Sequence, residues 1–185
     1  MTPQPAKPRV LIVDDHPANR LAFETLLETD YTVSVAASGY QALELTLRDE
    51  FAVILLDVKM PGMDGFEVAE LLRRRERTRH TPIVFISAFD QTVFQMKQGY
   101  IVGATDYIFS PVDPELLKFK VAAYVHSYLR NEALRLQIRD LELTVAALRS
   151  EVRGRGTADP AIQTQIRSFE GIIDGFKRQM ESMAP

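Results

Sequence analysis

Apolar and polar residues along this chain follow two periods. Five short runs rich in β-branched and aliphatic residues, near 9 to 13, 31 to 36, 52 to 56, 82 to 86 and 105 to 109, read as strands. Stretches with helical spacing near 17 to 29, 39 to 49, 64 to 76 and 90 to 98 separate them. Val10-Leu11-Ile12-Val13 and Ala52-Val53-Ile54-Leu55-Leu56 show no polar alternation, the pattern of strands buried on both faces of a parallel sheet. Strand and helix alternating in this way predict an α/β fold with a five-stranded doubly wound parallel sheet. Pro17 suits the first turn of its helix, and Asp64 or Asp90 can cap theirs.

The pattern changes after Pro111. Pro114 opens a helix with no further proline or glycine until Gly154, much longer than such a domain needs, so this helix must leave the domain. Leu134, Ile138, Leu141, Val145, Leu148 and Val152 are spaced 4, 3, 4, 3, 4, a heptad with Leu at d and β-branched residues at a. That choice favours two parallel strands, and Asn131 falls at the preceding a position, where a buried amide sets register. The expectation is a parallel homodimer. A single amphipathic helix folded back on its own domain competes with it, because Leu136 and Leu143 make a second apolar stripe.

A break follows at 153 to 158, and Asp159-Pro160 reads as a cap and first helical position. Ile162, Ile166, Phe169, Ile173, Phe176, Met180 and Met183 then repeat the same spacing. A short loop between two apolar-faced helices predicts a helical hairpin, in which the second helix covers Leu136 and Leu143 and a dimer has four helices. Alternatively the Phe and Met face stays open for a partner. Gly171 and Gly175 would permit close helix approach or simply weaken the helix. The chain thus divides into a flexible tail 1–8, an α/β domain 9–125, a coiled-coil extension 126–153, a loop 154–159 and a C-terminal amphipathic helix 160–183.

Asp14 and Asp15 directly follow the first apolar run, and Asp57 directly follows the third. In parallel sheets ligands collect at the carboxyl ends of strands, so these acids can meet there. Three carboxylates do not all ionise cheaply unless a hard divalent cation such as Mg2+ joins them. Solvated turn acids are the plainer reading of each one alone.

Four segments in order carry more weight: VDDHPANR at 13 to 20, LLDVKMPGMDGFE at 55 to 67, IVFISAF at 83 to 89 and GATDYIFSP at 103 to 111. Over roughly residues 8 to 125 the chain resembles the receiver domain of bacterial two-component response regulators, whose sheet is flavodoxin-like. The resemblance implies that Asp57 accepts a phosphoryl group from a histidine kinase or phosphotransfer protein. It implies Mg2+ held by Asp15, Asp57 and the Lys59 carbonyl, with Asp14 helping through water. It implies that Ser87 binds a phosphoryl oxygen and that Tyr107 is the aromatic that swings inward. Pro61-Gly62 and Asp64-Gly65 supply the turn beside the site.

The family's pattern breaks at Ser110, where a lysine normally precedes the proline. Three carboxylates and a divalent cation leave a net −1 that the lysine would cancel, and a serine hydroxyl donates one hydrogen bond without supplying that charge. Lys59 could bend over the site as a partial substitute, although the plainer expectation is that it points to solvent and offers only its carbonyl.

Composition narrows the remainder. The 185 residues, 46% hydrophobic, suffice for one domain with a full core plus an appendage. A net charge of −3 provides no general attraction to nucleic acid or membranes. Without cysteine there is no disulfide, thiolate metal site or cysteine nucleophile. Met1 to Pro8 lacks the apolar core of a signal peptide, and no apolar run approaches the ~20 residues of a membrane helix, so the expected location is cytoplasmic.

Arg73 to His80 looks like a nucleic-acid patch in isolation, but a solvated helix end accounts for it. His126 is followed by Ser127 rather than the acid of a kinase phosphorelay helix, and His16 and His80 have no metal-ligand company. The function expected is therefore a receiver signalling through a dimeric coiled coil to an unknown protein target, with no output enzyme or DNA-reading helix evident. A degenerate receiver acting as a constitutive dimerisation or docking module is the alternative, supported by Ser110. An aspartate-nucleophile phosphatase ranks below both, because neither His16 nor Pro17 supplies the Asp needed two residues after the nucleophile.

Overall fold

The computed structural model describes residues 7–88, 101–154 and 160–182. Strands β1 (Arg9–Val13), β2 (Thr32–Ala36), β3 (Val53–Asp57), β4 (Ile83–Ala88) and β5 (Asp106–Ser110) form one parallel sheet in the order β2-β1-β3-β4-β5. The described helices are α1 (Pro17–Leu27), α2 (Gly39–Arg48), α3 (Gly65–Arg73), α4 (Pro114–Gly154) and α5 (Pro160–Ser182). The expected doubly wound, flavodoxin-like sheet is present. The helix predicted near 90–98 with its Asp90 cap, residues 155–159 and Met183 lie outside the described residues.

Unbroken apolar runs form the central strands because both faces are covered. Leu11, Val13, Ile54, Leu56 and Phe85 share one core with Leu43, Val68 and Leu72 of α2 and α3. Val10, Ile12, Val53, Leu55 and Val84 share the other with Phe23 and Leu27 of α1 and Leu117 and Val121 of α4. Fully burying each such side chain contributes roughly 1.5–3 kcal/mol. The tail is anchored at its inner end: the Thr32 amide donates to the Pro8 carbonyl at 2.9 Å, and Lys7 Nζ to the Thr29 carbonyl at 2.6 Å.

Asp64 caps α3 as the sequence predicts, in a reciprocal box: the Glu67 amide donates to Asp64 Oδ1 at 2.8 Å and the Asp64 amide to Glu67 Oε2 at 3.1 Å. The same helix stops at Arg73, short of the predicted end at 76. Its following arginines are engaged elsewhere. Arg75 donates to the Leu43 carbonyl at 3.1 Å within α2, and Arg77 donates to the Leu47 carbonyl at 2.8 Å in its last turn. Arg73 is half-buried and spans the Gly103, Thr78 and Thr81 carbonyls. The arginine run is therefore a clip between elements rather than a merely solvated helix end.

The Asp113 side chain receives the Glu115 amide at 2.9 Å at the start of α4. Further along, Lys120 pairs with Asp106, and Tyr124 donates to the same carboxylate at 2.9 Å, fastening α4 to the first residue of β5. Burial alone would raise the Asp106 carboxyl, but hydrogen bonds from Lys120, the Tyr107 amide and Tyr124 outweigh it and hold it below the usual range.

The chain divides into two compact units, up to Tyr128 and from Leu129 onward. In the second, α4 and α5 pack as the predicted hairpin, through Ile138 and Val145 against Ile166 and Ile173. Arg149 pairs with Glu170 at 2.6 Å and Lys177 with Glu142, which makes the helices antiparallel. One expectation is corrected: α5 covers the a positions of the heptad, while Leu136 and Leu143 remain 61% and 66% exposed. Among the described residues no helix is long and apolar enough to cross a membrane.

Candidate functional site

Because β1 and β3 are neighbours while β2 lies on the far side of β1, their connections leave toward opposite faces, and a crevice opens at their carboxyl ends. Asp14 and Asp15 follow β1, and Asp57 closes β3. The predicted carboxylates therefore stand at the carboxyl ends of two neighbouring strands.

Asp14 is 2% exposed and held by local donors. Its Oδ1 accepts the His16 amide at 2.7 Å, its Oδ2 accepts Asn19 Nδ2 at 2.9 Å, and its carbonyl accepts Arg20 at 2.6 Å. Asn19 and Arg20 had no assigned role in the sequence; the contacts form because Pro17 starts α1 immediately after the acids and its first turn folds back on them. Asp15 Oδ1 is buried and accepts no hydrogen bond. His16 Nδ1 stands 2.8 Å from it, outside hydrogen-bond alignment. This corrects the expectation for His16: Asp14, Asp15 and His16 each bring one possible ligand atom to within 4.8 Å of the others, in a group that does not include Asp57.

Burial pushes the Asp57 carboxyl up to about 6 and the charges of Asp14 and Asp15 add to the rise, against the lowering effect of the Lys59 and Val58 amides that hydrogen-bond to it. Lys59 thus contributes its main chain, while its side chain is exposed. The turn depends on Gly65, whose amide donates to the Val58 carbonyl at 3.0 Å. A Cβ there would sit 2.3 Å from the Asp57 carbonyl oxygen, so only glycine lets α3 begin this close to the site. Gly62 adopts φ 82°, the left-handed conformation of the same turn.

The other candidates come from β4 and β5. Asp57 is level with Ile86, so Ser87 stands one step beyond it at the same edge, and it is buried. Ser110 is level with Ala88 at the end of β5 and is exposed; the Ser110–Pro111 peptide is cis. Tyr107 already occupies an inward position. It is 5% exposed, with its ring 5.3 Å from Phe85 and 6.3 Å from Phe109.

Oxygen donors, a buried acceptor with no donor and a carboxyl raised by burial and by two like charges are what a small hard cation relieves. Asp14, Asp15 and Asp57 fit Mg2+ on that chemistry.

The family model "Response regulator receiver domain" matches residues 10–122. The response regulator PleD of Caulobacter vibrioides is 41% identical over 128 residues, 69% of this chain and 28% of that protein. A probable cyclic di-GMP phosphodiesterase of Vibrio cholerae is 30% identical over 173 residues, 84% of this chain and 39% of that protein. The chain thus spans well under half the length of these relatives. Among solved structures, the receiver domain of the Pseudomonas aeruginosa sensor histidine kinase PA1611, with a magnesium ion in its active-site cleft, is 26% identical with a TM-score of 0.61, covering 65% of this chain and 99% of that one. With the family model matching more than half of its length, the chain belongs to the response regulator receiver domain family.

Proposed function

We propose that this receiver takes a phosphoryl group on Asp57 from a histidine kinase or phosphotransfer protein and relays the event through its helical extension, acting as a dimer on a protein target. The observation that carries the reading is Asp57 itself, facing Asp14 and Asp15 at the crevice, its carboxyl raised toward neutrality. An Asp57 oxygen attacks phosphorus in line, the bond from phosphorus to the donor imidazole nitrogen breaks, and the imidazole leaves with that electron pair. Mg2+ bound by Asp15, Asp57 and the Lys59 carbonyl, with Asp14 assisting, would neutralise the phosphoryl oxygens. Ser87 would hold one of those oxygens, and Tyr107 would be the aromatic that swings inward.

Ser110 favours a second reading. With an exposed serine where the cation would be, the charged site keeps −1, and a docking module indifferent to phosphorylation becomes the alternative. The two are separated by intact mass after incubation with Mg2+ and a small acyl phosphate, beside Asp57→Ala. A gain of one phosphoryl group abolished by the substitution supports the first; no gain in a folded protein, from that donor or from kinase, supports the second.

A further inference from the structure

We propose that the open side of the helical hairpin is a self-association surface, on which a second copy of the same hairpin seats to complete a four-helix bundle. This deepens the reading of the extension as a dimeric output element and rests on it, but not on the chemistry of Asp57.

The geometry follows from helical spacing. α4 and α5 meet through Ile138 and Val145 against Ile166 and Ile173. On each helix the residue four further on lies to one side of that contact line, and the residue three further on lies to the other. The residues four on are Glu142, Arg149, Glu170 and Lys177, and they pair with each other across the seam. That side is closed by ions. The residues three on must then share the opposite side: Leu141 and Leu148 from α4, Phe169 and Phe176 from α5. Leu134 and Ile162, four residues before the contact positions, fall on the same side. All six are exposed to between 39% and 55%.

Charge and area decide the occupant. The rim beyond these six is formed by the residues just before the contact positions, Gln137, Thr144, Gln165 and Ile172, none of which is charged. A face with no charge along its centre, where Arg130 and Glu151 stand only at the two ends of the α4 line, selects no oppositely charged partner and meets a copy of itself without like-charge repulsion at its middle. Large apolar side chains present ~200 Å² each, so six half-exposed ones offer about 600 Å² per copy and about 1,200 Å² for two, the lower edge of stable interfaces. A two-stranded parallel coiled coil through the whole heptad would need Ile138 and Val145, which α5 already covers.

The test uses the full chain in sedimentation equilibrium at tens of micromolar, with helicity by circular dichroism and labelling of Asp57 by intact mass. Wild type sedimenting as a dimer, with Leu141→Glu and Phe169→Glu raising its dissociation constant about 100-fold or more and Leu136→Glu leaving it unchanged, is the expected result. Half-exposed positions let the glutamates reach solvent, so helicity should persist. Where it does not, single cysteines in this cysteine-free chain decide: Leu141→Cys should cross-link under oxidation and Leu143→Cys should not. A monomeric wild type overturns both the proposal and the dimeric reading. A dimer insensitive to Leu141 and Phe169 overturns the proposal alone, and the mass reading reports independently on Asp57.

Discussion

Replacing Asp57 by asparagine should stabilise the metal-free receiver at neutral pH and do nothing in acid. The carboxyl rises from 3.8 to about 6 on folding. At 1.36 kcal/mol per unit this corresponds to a ceiling of about 3 kcal/mol, which contact with water at the crevice reduces to about 1–2 kcal/mol. A native group with a raised value binds its proton more tightly than the unfolded chain does. Its favourable contribution is complete below about pH 4 and is lost as pH climbs through about 6. Asparagine mimics the protonated form and escapes that loss. In scanning calorimetry with a chelator, Asp57→Asn should raise the receiver transition by roughly 4–8 °C at pH 7.5 and leave it unmoved at pH 4. Excess Mg2+ should stabilise wild type far more than the variant, narrowing the gap. Equal gains at both pH values, or a loss at pH 7.5, would refute the assignment of the penalty to ionising a carboxyl that is buried beside two like charges.

Ser110→Lys restores the missing cation and should speed phosphoryl labelling from a small donor about tenfold, the equivalent of ~1.4 kcal/mol; an unchanged rate would show that the charge deficit does not govern the site. Arg73→Ala removes the donors to three carbonyls and should cost about 3 kcal/mol in urea denaturation. Gly103→Ala puts a Cβ 2.7 Å from Arg73 Nε at φ 94° and should cost about 2 kcal/mol. Because both act on one contact, the double variant should cost less than the two costs added together, and strict additivity would break the link.

What was legible early depended on local pattern. Apolar runs mark buried strands wherever they occur, acids directly after them mark a carboxyl edge, and Asp64 with Glu67 marks a cap, because each is a relation between residues a few positions apart. The arginine run reads as a helix end for the same reason, while its partners Leu43 and Leu47 lie about 30 residues away. His16 reads from the sequence as a histidine without metal-ligand company, and its nearness to Asp15 Oδ1 depends on how α1 leaves β1.

By itself the sequence determined the α/β alternation, the three acids and the fact that each late helix carries an apolar seam, since side-chain period and strand burial are set residue by residue. Tertiary structure alone decided what those features do to one another. The order β2-β1-β3 buries Asp57 at the sheet edge beside the charges of Asp14 and Asp15, so that it resists ionisation, and both the burial and the repulsion exist only once the strands are brought together. The choice of Ile138 and Val145 over Leu136 and Leu143 was likewise a packing decision. A seven-residue repeat states that a helix has a face to bury, but which neighbour buries it depends on the geometry of both helices and on the ion pairs that close one side of their seam.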